Sequence, residues 1–114
     1  MISAIHSSLP RIDTSLKRIK ILVHNIANLS SNGFKKDTLL QGERGTGGVV
    51  VHIEKSLIPG PQLPSPDGTI VEGSNVDLSE EVVDQIISKA ALDANLAALT
   101  NALEAEQSLI DIIV

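Results

Sequence analysis

The sequence predicts a mainly α-helical protein, in which two long terminal helices pair as a coiled-coil-like hairpin around a short loop and β-hairpin segment. Apolar residues recur at intervals of three and four near both ends, whereas the middle is rich in glycine and proline. Phe34 is the only aromatic residue among 114. Since aromatic side chains usually fill a thick core, the abundance of Leu, Ile, Val and Ala favours long helix–helix contacts. We expect one domain made of an N-terminal helix with its motif (1–36), a variable loop and β segment (37–76) and a C-terminal helix (77–114).

The first segment carries an unbroken heptad track, the pattern by which paired helices each bury one stripe. Pro10 interrupts it, because a proline inside a helix removes a hydrogen bond and costs ~3 kcal/mol. Ser8 as N-cap would place Pro10 in the first turn, where proline is tolerated. We therefore expect a helix from about Leu9 to Ser31, with residues 2–7 frayed or kinked away. The track consists of Ile2, Ile5, Leu9, Ile12, Leu16, Ile19, Val23 and Ile26.

The end of this helix is predicted from Asn32-Gly33, because glycine readily adopts the left-handed conformation that ends many helices. In a Schellman arrangement Phe34 would pack back on Leu29. We interpret Phe34 as a local packing anchor of this kind.

The middle segment is predicted to consist of loop and strand. Glycines between residues 42 and 48 indicate a flexible linker, and the β-branched run Val49–Ile53 predicts a strand. The tract Pro59–Gly68 is too rich in proline for a helix or a central strand. Its Asp67-Gly68 turn leads into a second candidate strand, Thr69–Glu72. Such a hairpin is marginal unless it packs on the helices.

The third segment predicts the second long helix, which begins after Asp77. Asp77 as N-cap and Glu80 three residues later match a capping box. At ~1.5 Å per residue this helix would reach roughly 55 Å, against ~34 Å for the first, so much of its apolar stripe should extend beyond its partner. The residues expected to form the seam between the helices are Ile12, Leu16, Ile19, Val23, Leu92, Leu96, Leu99 and Leu103.

Charge is distributed unevenly along the chain. Residues 1–55 contain eight Lys or Arg and four Asp or Glu, whereas residues 56–114 contain one and ten, for a net charge of −5 overall. This polarity predicts either ordinary solvated faces or a basic end that meets an acidic end, within one molecule or between neighbours. The basic residues are few and lack aromatic partners, so nucleic-acid binding is not expected.

No sequence pattern typical of an enzyme or a cofactor site is present. His6, His24 and His52 lie far apart, without metal-ligand spacing. The glycine-rich stretch 42–48 lacks the Gly-Lys-Ser/Thr ending of a phosphate-binding loop, and no nucleophile motif surrounds any Ser. We therefore expect no catalysis, no metal and no cofactor. Membrane insertion and cleavage of a secretory signal are not expected either, because no apolar run approaches ~20 residues and the first residues lack a charged and an apolar region.

Two short segments carry a specific resemblance. Residues 24–35 read HNIANLSSNGFK and resemble the N-terminal signature of the bacterial flagellar rod and hook axial proteins, approximately N-N-[IL]-A-N-x-x-T-x-G-F-[KR]. Residues 74–83 read SNVDLSEEVV and resemble that family's C-terminal signature, S-N-V-[DN]-[LV]-x-E-E-[MF]-V. Residues 93–95 match the end of its Q-R-x-Y-E-A-N, although Ala90 and Leu92 stand where Arg and Tyr are usual, and His24 stands where Asn is usual. The matching residues are Asn25, Ile26, Ala27, Asn28, Gly33, Phe34, Asn75, Val76, Asp77, Leu78 and Asn95.

The resemblance implies a structural subunit of the flagellar basal-body rod, most like a small proximal rod protein because the middle segment is short. In that family the terminal helices assemble into the coiled-coil core of an axial helical tube. The implied partners are copies of the chain itself, other flagellar rod and hook-basal-body proteins, and the flagellar type III export apparatus. The implied location is the rod in the periplasmic space, reached by export without a cleaved signal peptide.

Two alternatives remain at this point: a small helical adaptor or export chaperone that binds a partner helix in a groove, and, more remotely, an enzyme of unrecognised type. A polymer subunit needs two different complementary surfaces, whereas a dimeric adaptor closes on itself. Some motif residues also have local interpretations. Asn75 and Asp77 suit helix capping first and an interface second, and Asn28 could cap the first helix or bond a neighbouring subunit.

Overall fold

The computed structural model describes residues 2–45 and 48–113, with side chains from residue 5 onwards within those ranges. It forms a hairpin of two long helices, α1 (Ile2–Ala27) and α2 (Leu78–Ile113), connected through two small antiparallel sheets. The strands are β1 (Asp37–Glu43), β2 (Val49–Lys55), β3 (Gln62–Pro64) and β4 (Ile70–Glu72). The molecule is elongated, at 77 × 26 × 16 Å. The predicted fold class, two long terminal helices in contact with small β-hairpins between them, is confirmed.

The two helices run antiparallel, with the end of α1 beside the start of α2. The Asn25 amide of α1 donates to the Glu81 carboxylate of α2. Further along, Arg11 of α1 and Asn95 of α2 line one cleft between the helices. Residue i of α1 therefore faces a residue near 106 − i of α2. By this relation about nine residues at the end of α2, roughly 13 Å of helix, extend beyond the start of α1.

The start of α1 differs from the prediction. α1 begins at Ile2 and contains Pro10, so the expected start near Leu9, with residues 2–7 frayed, is wrong. A proline inside a helix leaves one carbonyl of the preceding turn without its donor. Ser8 is nevertheless 5% exposed and Ile5 is half-buried. These two side chains hold the first part of α1 against the rest of the fold.

The end of α1 comes at Ala27, before the predicted end at Ser31. The side-chain amide of Asn28 donates to the carbonyl of His24 at 2.9 Å. The same carbonyl also accepts from the backbone N–H of Asn28 at 3.2 Å, so the side-chain amide is a second donor to the last turn of the helix. The local capping role considered for Asn28 is therefore the one that the structure shows.

The turn after α1 is stabilised by the β segment rather than by the helix. Gly33 has the predicted left-handed conformation, with φ of 71°, but its N–H donates to the carbonyl of Glu72 in β4 at 2.8 Å. The predicted Schellman arrangement of Phe34 on Leu29 is therefore wrong, because β4 takes the backbone donor and the helix has already ended. Phe34 lies edge-on to His24 instead, with ring centroids 5.6 Å apart.

Both predicted strands are present, as parts of β2 and β4, but they do not pair with each other. β2 pairs with β1, from Asp37↔Lys55 to Glu43↔Val49, and β4 pairs with β3. The flexible-linker interpretation of residues 42–48 is wrong at its start, because residues 42 and 43 belong to β1. Leu39 is 5% exposed, so burial against the helices anchors a strand that its sequence alone does not predict.

Glycine is required where the proline-rich tract crosses the end of β4. A Cβ atom on Gly60 would overlap the carbonyl oxygen of Gly73, and the N–H of Gly73 donates to the carbonyl of Pro61 at 2.8 Å. Gly68 has a φ of 87° in the turn between β3 and β4, as the Asp67-Gly68 signal predicts. These two glycines allow the tract to fold back on itself beside the start of α2.

The start of α2 agrees with the prediction in one part. The carboxylate of Asp77 accepts hydrogen bonds from the N–H groups of Ser79 at 3.0 Å and Glu80 at 3.4 Å. Asp77 is therefore the N-cap of α2. The Glu80 carboxylate does not complete a capping box but pairs with the Lys36 ammonium at 3.1 Å.

The buried positions between the two helices are mostly polar. The buried residues of the two helices are Ser8, Thr14, Ser15, Leu22 and Asn25 in α1, and Glu81, Ser88 and Ala102 in α2. The residues of the predicted seam are less buried than these. Leu16, Val23, Leu96 and Leu103 are exposed, and Ile12, Ile19, Leu92 and Leu99 are half-buried. The two heptad tracks are therefore only partly buried within one chain, because Ser8, Ser15, Leu22, Ser88 and Ala102 occupy the buried positions between the helices. A role of the tracks in assembly stays a prediction.

Candidate assembly site: the motif junction and the apolar helix face

Asn25, from the N-terminal motif (residues 24–35), joins three parts of the fold. It is 1% exposed. Its amide nitrogen donates to the carbonyl of Asp37 at 2.8 Å, and its amide oxygen accepts from the N–H of Asp37 at 3.0 Å. The same amide nitrogen donates to the carboxylate of Glu81 at 3.2 Å. One buried amide therefore positions the end of α1, the start of β1 and the first turn of α2.

Asn75, from the C-terminal motif (residues 74–83), makes the reciprocal connection. Its side-chain oxygen accepts from the N–H of Lys36 at 2.7 Å, and its amide nitrogen donates to the carbonyl of Ile58 at 2.8 Å. Its own N–H donates to the carbonyl of Phe34 at 3.2 Å. The cap interpretation of Asn75 is wrong, because its side chain binds two loop backbones and not the helix start. We call the cluster formed by Asn25, residues 33–37 and residues 72–81 the motif junction.

Opposite charges meet at the motif junction. Lys35 pairs with Glu72, and Lys55 pairs with Asp37 at 3.2 Å. The Lys55 ammonium also lies 5.8 Å from the centroid of the Phe34 ring, within the range of a cation–π contact. Lys35 with Glu72 and Lys36 with Glu80 each pair a base of the first half with an acid of the second, so the two halves meet within one molecule at this end of the hairpin.

Glu81 is the buried acid of the motif junction, at 3% exposed. Burial raises the pKa of its carboxyl above the ordinary value of 4.5, although the Asn25 amide and the Lys36 charge act in the opposite direction. A raised pKa means that the folded state binds this proton more tightly than the unfolded state does. Glu81 therefore contributes stability that is present below pH 4.5 and is lost as the pH rises through the raised pKa.

Glu81→Gln is expected to remove this part of the pH dependence. The glutamine oxygen can still accept from Asn25, but no charge is buried at neutral pH. The variant should be at least as stable as the wild type at pH 7, and the advantage should shrink as the pH falls towards 4.5. Urea unfolding at several pH values measures the difference. Parallel stability curves for the two proteins would contradict the assignment of a raised pKa to Glu81.

The structure distributes the other motif residues between the junction and the helices. Val76 is buried at the junction, Ile26 is half-buried, and Ala27 and Leu78 are exposed. Asn95 lies far along α2, where its amide donates to the carbonyl of Ala91 at 2.8 Å. Asn95 is therefore not part of the junction. Sequence reasoning missed Glu81, although its place in the second motif was a signal that could have found it.

The exposed parts of the two heptad tracks form one apolar face of the hairpin. The α1 stripe is Leu9, Leu16 and Val23, and the α2 stripe is Leu96, Leu103 and Ile110, with exposures between 43% (Leu96) and 52% (Leu16). Leu9, Leu16, Val23 and Leu103 each come directly after a residue that is buried in the contact between the helices. Consecutive residues are about 100° apart around a helix axis, so these side chains lie about 100° away from that contact. Since the helices are antiparallel and face each other, the same offset places both stripes on the same side. We call this surface the hairpin face.

α2 exposes apolar residues on other sides as well. Val83, Ile86 and Ile87 are each more than half exposed, and Ile87 lines the cleft beside the first hairpin. Ile112 and Ile113 are 83% and 77% exposed in the segment beyond α1. Surface helices normally present a single apolar stripe, whereas a helix that is apolar all round is usually buried. α2 thus carries more apolar surface than one contact with α1 can cover.

The remaining features of the described residues are modest. A polar cleft of about 570 Å³ lies between the helices and the first hairpin, lined in part by Arg11, Arg18 and Asp84. Within residues 2–45 and 48–113, no group of three or more His, Cys, Asp or Glu is placed to hold a metal ion. Neither helix, as far as it is described, is long and apolar enough to cross a membrane.

The comparisons with known proteins return no relative that would assign the site. No protein-family model matches this chain, and no curated protein sequence shows significant similarity to it.

Proposed function

We propose that this protein is a structural subunit of the bacterial flagellar basal-body rod, which assembles through its terminal helices into an axial helical tube. Its partners would be copies of itself, other rod and hook-basal-body proteins, and the flagellar type III export apparatus. In this role it works in the rod, within the periplasmic space, and reaches it without a cleaved signal peptide. It binds no cofactor and catalyses no reaction.

The observation that carries the proposal is the apolar surface of α2. Val83, Ile86 and Ile87, which we call the outer patch, are exposed, and at about 100° per residue they lie on other sides of α2 than the stripe of the hairpin face. A polymer subunit needs two different complementary surfaces, and burial of apolar surface supplies the driving force for association. A closed dimer through the hairpin face alone would leave the outer patch and the end of α2 in water. An adaptor that closes on itself is therefore the weaker candidate.

The motif junction supports the same proposal. The two segments that resemble the axial-protein signatures are far apart in the sequence, yet Asn25 of one bonds Glu81 of the other. The N–H of Lys36, directly after the first segment, bonds Asn75 of the second. Their residues are thus needed together, because each segment supplies the hydrogen-bond partners of the other. The junction fixes the two helices as one unit, which a stiff tube requires of its subunits.

A deletion strain tests the proposal. Loss of the gene should stop flagellar assembly at the rod stage and abolish motility, and a plasmid copy should restore both. Electron microscopy of isolated basal bodies measures rod assembly, and swimming in soft agar measures motility. Complete rods and normal swimming in the deletion strain would overturn the proposed function.

A further inference from the structure

The two stripes of the hairpin face match each other in length and spacing. Leu9, Leu16 and Val23 recur every seven residues, as do Leu96, Leu103 and Ile110. Each stripe therefore spans 14 residues, or about 21 Å of helix. Residues at this interval lie on one line along a pair of helices that coil around each other. Each stripe is thus suited to pack against the other, but within one chain the two lie side by side.

Charge favours the pairing of unlike stripes from two copies. Between residues 9 and 23, α1 contains Arg11, Lys17, Arg18 and Lys20 against Asp13. From residue 93 onwards, α2 contains Asp93, Glu104, Glu106 and Asp111 and no Lys or Arg. A second copy of this chain therefore offers each stripe an oppositely charged partner, whereas α1 on α1 or α2 on α2 would bring like charges together.

The axial register of this contact follows from Lys89. Within one hairpin, residue i of α1 faces a residue near 106 − i of α2. If two copies docked without any shift along the helix axis, the same relation would place Leu16 of one copy opposite residues 89 and 90 of the other. Lys89 is exposed and pairs with Asp93 at 3.2 Å, and such a contact would cover its charge with apolar side chains. A shift of 13 residues, about 20 Å, instead places Leu16 against Leu103 and aligns the whole of both stripes.

We infer that the α1 stripe of one copy docks antiparallel on the α2 stripe of a second copy, staggered by about 20 Å along the helix axis. This inference rests on the proposed function, since it specifies the contact by which copies of a rod subunit would join. The segment of α2 beyond α1 makes room for the stagger, because Ile110 has no part of its own α1 beside it. A staggered contact leaves one unused stripe at each end and so continues without closing.

Disulfide trapping tests the register, and the chain has no cysteine that would interfere. Full-length Leu16→Cys is mixed with Leu103→Cys for the staggered contact, or with Lys89→Cys for contact at the same level. Leu16→Cys mixed with Thr69→Cys, in the β3–β4 turn, gives the background. Mild oxidation should yield at least about five times more mixed dimer for Leu16 with Leu103 than for either other pair. Circular dichroism confirms that each variant retains its helices.

Three results of the disulfide experiment would contradict the staggered contact. Preferential linkage of Leu16 to Lys89, preferential linkage of Leu16 to itself, or background linkage for all pairs would each overturn the staggered contact. These results are separable from the deletion experiment. A strain that lacks rods shows the proposed function even if the register fails, and complete rods in that strain refute the function even if Leu16 and Leu103 become linked.

Discussion

Asn25→Ala is expected to lower the free energy of unfolding by about 2–4 kcal/mol. The substitution leaves the N–H and carbonyl of Asp37 and the carboxylate of Glu81 without the partner that they share in a buried site. Each buried polar group left without a hydrogen bond costs roughly 1–3 kcal/mol. Such a loss is a large part of the stability of a domain of this size. Urea unfolding followed by circular dichroism measures it.

Asn28→Ala is the matched control, because it removes a second asparagine of the same motif. The Asn28 amide donates to the His24 carbonyl at an exposed helix end, where water can take its place. Its loss should cost about 1 kcal/mol or less. Equal destabilisation by the two substitutions would contradict the central role assigned to Asn25.

Leu103→Glu and Leu16→Glu are expected to weaken self-association at least about 100-fold while they leave the fold of a single chain intact. Both side chains are about half exposed in the monomer, at 49% and 52%, so a charge there stays in contact with water. In the assembled state the same charge would be buried without a partner, at a cost of several kcal/mol. Sizing of the purified variants measures association, and motility of a complemented deletion strain measures incorporation.

Leu57→Glu provides the control for these variants. Leu57 lies in the connection between β2 and β3 and is 92% exposed, so the same change of charge falls outside the hairpin face. This variant should associate and support motility as the wild type does. Wild-type association of both Leu103→Glu and Leu16→Glu would refute the hairpin face as an assembly surface.

The long helices and the cap at Asp77 could be predicted because their signals are local. Periodicity, an N-cap residue and a left-handed glycine act within a few positions of the chain. β1 could not be predicted in this way, because Leu39 is buried by helices that are distant in sequence. The hydrogen-bond partner of Gly33 could not be predicted either, because its N–H donates to the carbonyl of Glu72, which is distant in sequence, and not to the preceding helix.

The face of α1 that meets α2 could not be predicted either. The heptad track showed which residues are apolar, and we expected the apolar stripe to meet the partner helix. The structure places Ser8, Ser15 and Asn25 in the contact and leaves Leu16 and Val23 half exposed. Periodicity identifies a stripe but not its partner, and here the stripe is available to a second chain. Likewise, the motifs indicated Asn25 and Asn75, but only the fold shows that each binds the segment beside the other.

The growth of assemblies with protein concentration tests the central claim most directly. Sedimentation velocity of the purified full-length chain, over a wide range of concentrations, measures the mass of the assembled species. A staggered contact between unlike stripes leaves a free surface at each end, so the average mass should rise beyond a dimer without reaching a plateau. A chain that remains a monomer at every concentration, or that stops at a closed dimer, would contradict the account of this protein as an assembling subunit.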